Sequence, residues 1–283
     1  MDLSDIRVIK NILARHGFHF SKSLGQNFLI NPDVCPRMAE ECGAQKGVGV
    51  LEIGPGVGVL TAELAKRADK VVSVELDKKL LPVLDDTLSG YRNVKIVNED
   101  ILKADLRKLI RTEFSGGEVA VCANLPYYIT SPVIMRLLEE RLPIRSVTVM
   151  VQKEAAERLC ALPGTRACGA VSATVRYFAE PEVLFEVNRD NFFPPPNVDS
   201  AVIHLKIRKE PPVKINREKD FFALVKAAFG QRRKTVLNAV AAGLSLDRAV
   251  VAAALERAGI APNARAEQLS MEQLAALSNE VFL

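Results

Sequence analysis

Val48-Gly-Val-Leu-Glu-Ile-Gly-Pro-Gly-Val-Gly58 is a short apolar run that ends in a glycine-rich turn. A run of this length bounded by glycine reads as a buried strand. Helical periodicity follows over 58–67, with Leu60, Leu64 and Ala65 on one face. Strand, glycine turn and helix in that order open a β-α-β unit, and the chain continues it. Val71-Val-Ser-Val74 predicts a second strand, with a helix over 77–87, a third strand near 93–97 and a fourth at 118–123. Thr130-Ser131-Pro132 supplies a cap and a first-turn proline for a helix to about Glu140. Strands near 145–151, 182–187 and 200–207, with a helix over 153–160, complete the region. Strands alternating with helices imply an α/β fold built on a mostly parallel, doubly wound sheet. The last two apolar runs have no long helix between them. They are joined by Asn191-Phe-Phe-Pro-Pro-Pro-Asn-Val-Asp-Ser200, which predicts an antiparallel pair at the end of the sheet.

After Lys206 the texture changes. Ile207-Arg-Lys-Glu-Pro-Pro-Val-Lys214 is polar and broken by proline, and reads as a linker. From about 217 only helical periodicity remains, with two further short helices expected over 263–283. The predicted boundary separates residues 1–208 from a small all-helical domain at 209–283.

With 283 residues, 48% hydrophobic and 25% charged, the composition is that of an ordinary globular protein with ample core. No run of eighteen apolar residues occurs, and the polar start Met-Asp-Leu-Ser-Asp lacks the apolar stretch of a secretory signal, so the expected location is cytoplasmic. Five cysteines show no Cys-x-x-Cys spacing and read as reduced, packed thiols. None of the three histidines sits in a metal-ligand pattern, and no structural metal is expected. The net charge of +4 permits a phosphate-rich partner without requiring one.

Glycines 54, 56 and 58 fall in the first strand-to-helix turn, where a ligand meets the carboxyl edge of such a sheet. Val59 stands where a dinucleotide fingerprint has its third glycine, which argues against a pyrophosphate and a nicotinamide dehydrogenase. Glu75 ends the second strand, where a carboxylate can accept both ribose hydroxyls. Asp100 follows the third, placed to meet an adenine amine. The fourth strand runs into Asn124-Leu-Pro-Tyr-Tyr128. Here the Asn124 oxygen and the Leu125 carbonyl are acceptors for an exocyclic base amine, Pro126 stiffens the turn, and Tyr127 offers a stacking ring. Tyr128 reads as packing. Phe192 is either the second face for that base or a core plug beneath the proline turn.

This order of strand ends resembles the class I S-adenosylmethionine-dependent methyltransferases, whose Rossmann-like sheet is then the expected fold. Several longer words are more specific: Lys22-Ser-Leu-Gly-Gln-Asn-Phe-Leu29, Glu52-Ile-Gly-Pro-Gly56, Asn124-Leu-Pro-Tyr-Tyr-Ile129, Met150-Val-Gln-Lys-Glu154, Phe192-Phe-Pro-Pro-Pro-Asn-Val-Asp-Ser200 and Phe229-Gly-Gln-Arg-Arg-Lys-Thr235. Together they resemble the bacterial small-subunit ribosomal RNA adenine dimethyltransferases across nearly the whole chain. The resemblance implies N6-dimethylation of two adjacent adenosines in the 3′-terminal hairpin loop of 16S rRNA in the immature small subunit. It implies S-adenosylmethionine as donor, with S-adenosylhomocysteine as product. It assigns the donor to Gln26, Asn27, Leu29, Gly54, Gly56, Glu75, Leu76, Asp100, Ile101 and Asn124, and the reaction to Asn124, Leu125, Pro126, Tyr127 and Phe192. Cys168 departs from the family pattern, which has Tyr before the glycine, and Phe193 replaces a small or polar residue.

The basic run Lys226, Arg232, Arg233 and Lys234 is either an RNA-phosphate patch or a solvated helix face. Nothing in the sequence demands a dimer. The competing functions are the same chemistry on large-subunit RNA, or ribosome assembly by binding alone.

Overall fold

A computed structural model describes residues 3–19, 21 and 25–283 of the chain. Lys22, Ser23 and Leu24 of the first family motif lie outside the described residues. The chain forms two compact units, Met1–Ala156 with Pro181–Ile207, and Glu157–Glu180 with Arg208–Leu283.

In chain order the elements of the first unit begin with α1 (Ile6–Arg15), β1 (Phe28–Leu29), α2 (Val34–Glu41), β2 (Val48–Ile53), α3 (Val59–Ala65) and β3 (Lys70–Glu75). They continue with α4 (Leu81–Thr87), β4 (Val94–Asn98), α5 (Leu106–Phe114), β5 (Glu118–Asn124), α6 (Thr130–Glu139), β6 (Ser146–Gln152) and α7 (Lys153–Leu159). Past α8 (Ala170–Phe178) come β7 (Ala179–Val187), β8 (Phe192–Phe193) and β9 (Ser200–Ile207).

Seven strands make one sheet in the order β4-β3-β2-β5-β6-β9-β7. The first five are parallel, because each is separated from its neighbour in sequence by a helix. β9 lies between β6 and β7 and runs antiparallel to β6, with Gln152 opposite Ser200. The central strands are buried on both faces, so they carry the continuous apolar runs seen in the sequence rather than an alternation. Helices α2 and α3 pack on the sheet through Met38, Leu60 and Leu64. Helix α1, which the sequence reading did not anticipate, buries Ile9, Ile12 and Leu13 against Leu80, Val83 and Leu84 around α4. No described helix is long and apolar enough to cross a membrane.

Helix α6 corrects one local expectation. It begins at Thr130 behind a 3-10 turn at Tyr127–Ile129, so Thr130 is the first helical residue and not a cap. Its hydroxyl is buried without a hydrogen-bond partner. Helix α2 starts at Val34, and Asn31 Oδ1 accepts from the Asp33 amide 2.8 Å away in the turn before it.

The second unit holds α8 with α9 (Glu218–Phe229), α10 (Val236–Leu244), α11 (Arg248–Arg257) and α12 (Met271–Val281). The compact units therefore differ from the 208/209 division, because residues 157–180 belong with the C-terminal helices. The cause is aromatic packing. Tyr177 is 1% exposed, its ring lies 5.3 Å from Phe221 and 5.2 Å from Phe222, and its hydroxyl donates to Glu218 at 2.7 Å. The expected pair of short helices over 263–283 is one 3-10 turn at Ala266–Gln268 followed by α12.

Candidate active site

The carboxyl ends of β2, β3, β4 and β5 border one cavity of about 280 Å³. Gln26, Asn27, Leu29, Gly54, Gly56, Glu75, Leu76, Asp100, Ile101 and Asn124 all line it, and so do Leu125, Pro126, Tyr127 and Phe192. Parallel strands in register place these loops side by side, which is why Gly54 and Asn124, 70 positions apart in the chain, share one wall.

The β2–α3 turn takes φ of +69° at Gly54 and +60° at Gly56, values that disfavour a side chain. A Cβ at Gly54 would enter open space, so the absent side chain leaves room for a ligand against the backbone, whereas a Cβ at Gly56 would meet the Phe28 ring at 3.1 Å. Glu75 ends β3 and is buried, with its Oε1 accepting the Asp77 amide at 2.7 Å. Burial raises its pKa to about 7, against hydrogen bonds from the Asp77 and Gly56 amides. Asp100 accepts from the Leu102 amide at 2.9 Å and faces Lys103 at 3.5 Å. Its loop is fastened by Arg136 of α6, whose guanidinium donates to the carbonyls of Ile101 at 2.5 Å and Ala104 at 2.6 Å. Leu76 and Leu102 remain exposed apolar side chains on this wall. Sequence reasoning missed Leu102 and Arg136; an apolar residue directly beyond Asp100-Ile101 was the available signal for the first, and nothing local signals the second.

On the side of the Gly25–Leu29 segment, called the lid here because it borders the cavity, Gln26 ties two segments together. Its Oε1 accepts the Ser21 amide and its Nε2 donates to Asp77, both at 2.9 Å. Asn124 Nδ2 donates to the Asn27 carbonyl at 3.4 Å, which leaves Oδ1 as the acceptor of that amide. The Leu125 amide donates to Met150 at 3.3 Å, and the Ile129 amide closes the turn on Pro126 at 3.1 Å. Tyr127 is anchored by a 2.7 Å hydrogen bond between its hydroxyl and Ser200 of β9. Burial raises its pKa, and the Ser200 hydrogen bond opposes that rise.

Two aromatic assignments change. Phe192 borders the cavity but is 3% exposed, packed with Leu29, Cys35, Met150 and Val202, so it forms a core wall and presents no open stacking face. It pairs with Leu29 in the two-stranded β1–β8 ribbon, which is what pins it there. Tyr128, read as packing, is 56% exposed at the cavity rim. Phe193 carries Lys10 over its ring at 4.8 Å. In the second unit Cys168 is buried just before α8, in the loop that precedes it.

Beneath the donor side lies a buried acid outside the expected set. Glu52 of β2 is 1% exposed and its Oε2 accepts from Ser73 at 2.6 Å, while Oε1 has no hydrogen-bond partner. Burial raises its pKa to about 7, with Glu75 adding repulsion. The cysteines are free thiols, four of them buried. Among the described residues no cluster of three or more His, Cys, Asp or Glu side chains is arranged to hold a metal ion.

Lys226, Arg232, Arg233 and Lys234 belong to the second unit, where all four are exposed. The last three occupy the α9–α10 loop, and Arg232 donates to the Arg166 carbonyl at 3.3 Å.

The ribosomal RNA adenine dimethylase family profile matches residues 17–282. The ribosomal RNA small subunit methyltransferase A of Geobacillus thermodenitrificans is 50% identical over 277 residues, covering 96% of this chain and 94% of its own. That of Alkaliphilus oremlandii is 46% identical over 280 residues, covering 99% and 98%. Among solved structures, a dimethyladenosine transferase from Plasmodium falciparum superposes with a TM-score of 0.72 at 25% identity, over 88% of this chain and 95% of that one. The 23S rRNA methyltransferase ErmE gives 0.69 at 29% identity, over 90% and 100%.

Proposed function

The chain belongs to the ribosomal RNA adenine dimethylase family, and from that premise we propose that it dimethylates N6 of two adjacent adenosines in the 3′-terminal hairpin loop of 16S rRNA, using S-adenosylmethionine. The enzyme acts as a monomer on the immature small subunit in the cytoplasm. One observation carries the reading: a single cavity has acidic acceptors on one side and Asn124-Leu-Pro-Tyr127 on the other.

The residues fit the donor. Glu75 accepts the ribose hydroxyls, Asp100 pairs with the adenine amine, and Leu76 and Leu102 cover the base's faces. The open space at Gly54 admits the methionine part against bare backbone. When bound, S-adenosylmethionine supplies a methyl group already activated on sulfur and leaves as S-adenosylhomocysteine.

The protein's remaining task is alignment. A base amine conjugated to its ring is a poor nucleophile. Asn124 Oδ1 and the Leu125 carbonyl accept its two hydrogens and favour a pyramidal nitrogen whose lone pair faces the donor. The Met150 contact to the Leu125 amide and the Ser200 contact to Tyr127 hold these groups in place. The amine displaces the methyl from sulfur in line, and the proton then lost from the cationic amine goes to solvent. No buried general base is required. Such positioning is worth roughly 7–11 kcal/mol. The target base must leave its stack to enter; Tyr127 stacks on it and Phe192 forms the apolar wall behind.

The test is incubation of the protein with isotopically labelled methyl donor and, in separate reactions, unmethylated small subunits or deproteinised large-subunit RNA, followed by nuclease mapping. The expected product is N6,N6-dimethyladenosine at two adjacent positions near the 3′ end. Label found only in large-subunit RNA, or none at all, overturns the reading.

The exposed loop at Arg232–Lys234 supplies phosphate contacts. Replacing Arg232, Arg233 and Lys234 together with Gln is expected to flatten the slope of log affinity against log salt by roughly 2–3 for small-subunit RNA. A filter-binding titration at several salt concentrations measures it, and an unchanged slope removes the loop from the RNA contact.

A further inference from the structure

Extruding one base from an RNA strand breaks two stacks. The flipped base loses its neighbours, and a neighbour loses one of its own partners. The cavity accounts for the flipped base. It leaves unexplained the ring beside it, Tyr128.

Tyr127 and Tyr128 are consecutive residues of one 3-10 turn, in which successive side chains project about 120° apart. They cannot share a role. Tyr127 is half-buried, with its hydroxyl committed to Ser200. Tyr128 is 56% exposed and borders the same cavity. Its ring lies beside the backbone of Gly25: a Cβ added there would come within 3.6 Å of Tyr128 Cδ1 and Cε1, and the glycine leaves that space clear. A large aromatic at this place, with more than half its surface in water, is an open apolar face at the mouth of the cavity.

We infer that Tyr128 is a second nucleobase-binding residue, a stacking platform for the nucleotide adjacent to the one held in the cavity. This inference rests on the RNA methylation reading above and deepens it. A purine is the preferred occupant, since it offers the larger π-face. In a substrate with two adjacent adenosines, that occupant is the second adenosine, held at the rim while the first is methylated. Stacking of this kind tolerates any base and adds affinity without hydrogen-bond readout. The proximity of Gly25 also places the platform beside the segment that carries Gln26 and Asn27. Nothing charged is needed at the ring, and its hydroxyl is dispensable.

The test compares Y128A and Y128F with the wild-type chain by two readouts. The first is methyl transfer to unmethylated small subunits as a function of subunit concentration, beside the Kd for S-adenosylmethionine measured separately. Y128A is expected to raise the KM for subunits about tenfold, within the range that one lost stacking contact produces, with the Kd for S-adenosylmethionine unchanged. Y128F, which keeps the ring, restores the wild-type KM. The second readout uses a hairpin RNA with 2-aminopurine beside the target adenosine. Quenched fluorescence on binding wild-type protein, absent with Y128A and kept with Y128F, supports the platform. An unchanged KM overturns the proposal. So does a parallel loss of S-adenosylmethionine affinity, which would make Tyr128 a brace for the lid, and so does an absence of quenching with wild-type protein. Failure of the methylation reading itself is distinguishable, because wild-type protein would then transfer no label while the fluorescence still reports stacking.

Discussion

Asn124→Ala is expected to lower the turnover number for methyl transfer by about 10²–10³-fold, the usual cost of removing one preorganised hydrogen-bonding group from a reacting centre. On the proposed mechanism the effect falls on turnover, because the Asn124 oxygen would act on the nitrogen as it becomes pyramidal, not on the docked base. The Leu125 carbonyl remains, so the variant keeps one of two acceptors and is crippled rather than dead. Donor binding is expected to change little. Among the described residues, the Asn124 amide reaches the lid through the 3.4 Å hydrogen bond to the Asn27 carbonyl, long for an N–H···O bond. Single-turnover transfer with both substrates saturating separates the two effects. A rate within tenfold of wild type would show that the Leu125 carbonyl and Tyr127 align the amine without Asn124. Asn124→Asp sharpens the comparison, since it keeps an acceptor oxygen but removes the donor to Asn27. If acceptor character is what matters, Asp at this position retains more activity than Ala.

Much of this site is readable along the chain because its residues sit at strand ends. A parallel sheet stacks the carboxyl ends of its strands, so Gly54, Glu75, Asp100 and Asn124 converge once the strands are recognised. Six strands, β2 to β6 and β9, lie within a residue or two of their expected bounds, because most of them are apolar runs buried on both faces, which are strong signals. What stayed hidden depends on packing between distant segments. Phe192 could be read as either a stacking face or a core plug, and the choice is made by its pairing with Leu29, 163 positions away in the chain. The membership of α8 in the second unit is decided by Tyr177 against Phe221 and Phe222, contacts to which local periodicity is blind. Arg136 looks like any helix arginine until its guanidinium is seen on the carbonyls of the Asp100 loop. Tyr128, read as packing, is exposed because the tight 3-10 turn that places Tyr127 inward turns the next side chain away from it.

Glu52 gives the second large expectation, a pH-dependent stability that a single amide substitution removes. The side chain is trapped between strands: register sets Glu52 opposite Ser73 on β3 and Cys122 on β5. The Ser73 hydroxyl at 2.6 Å and the nearby Thr61 hydroxyl compensate the carboxylate in part for lost water, although Oε1 makes no hydrogen bond of good geometry. Burial, with the nearby Glu75 charge, therefore raises the folded pKa to about 7 from an ordinary 4.5. A folded pKa above the unfolded one contributes stability that is fully present below pH 4.5 and is lost as pH rises through 7. The shift corresponds to about 3 kcal/mol across that window. Glu52→Gln keeps an acceptor for Ser73 and never ionises. At pH 8 the variant is expected to be more stable than wild type by about 3 kcal/mol, an advantage that falls to about 1 kcal/mol at pH 5 and vanishes near pH 4. The chain contains no tryptophan, so urea unfolding followed by far-ultraviolet circular dichroism at these pH values is the suitable measurement. Glu75 titrates over the same range in both proteins, so the difference between them isolates Glu52 together with its coupling to Glu75. Parallel pH profiles would mean that water reaches the Glu52 carboxylate and that the acid beneath the donor site is not desolvated. A converging pair of profiles would mean instead that this chain carries a proton at Glu52 up to about pH 7, next to the carboxylate proposed to hold the ribose.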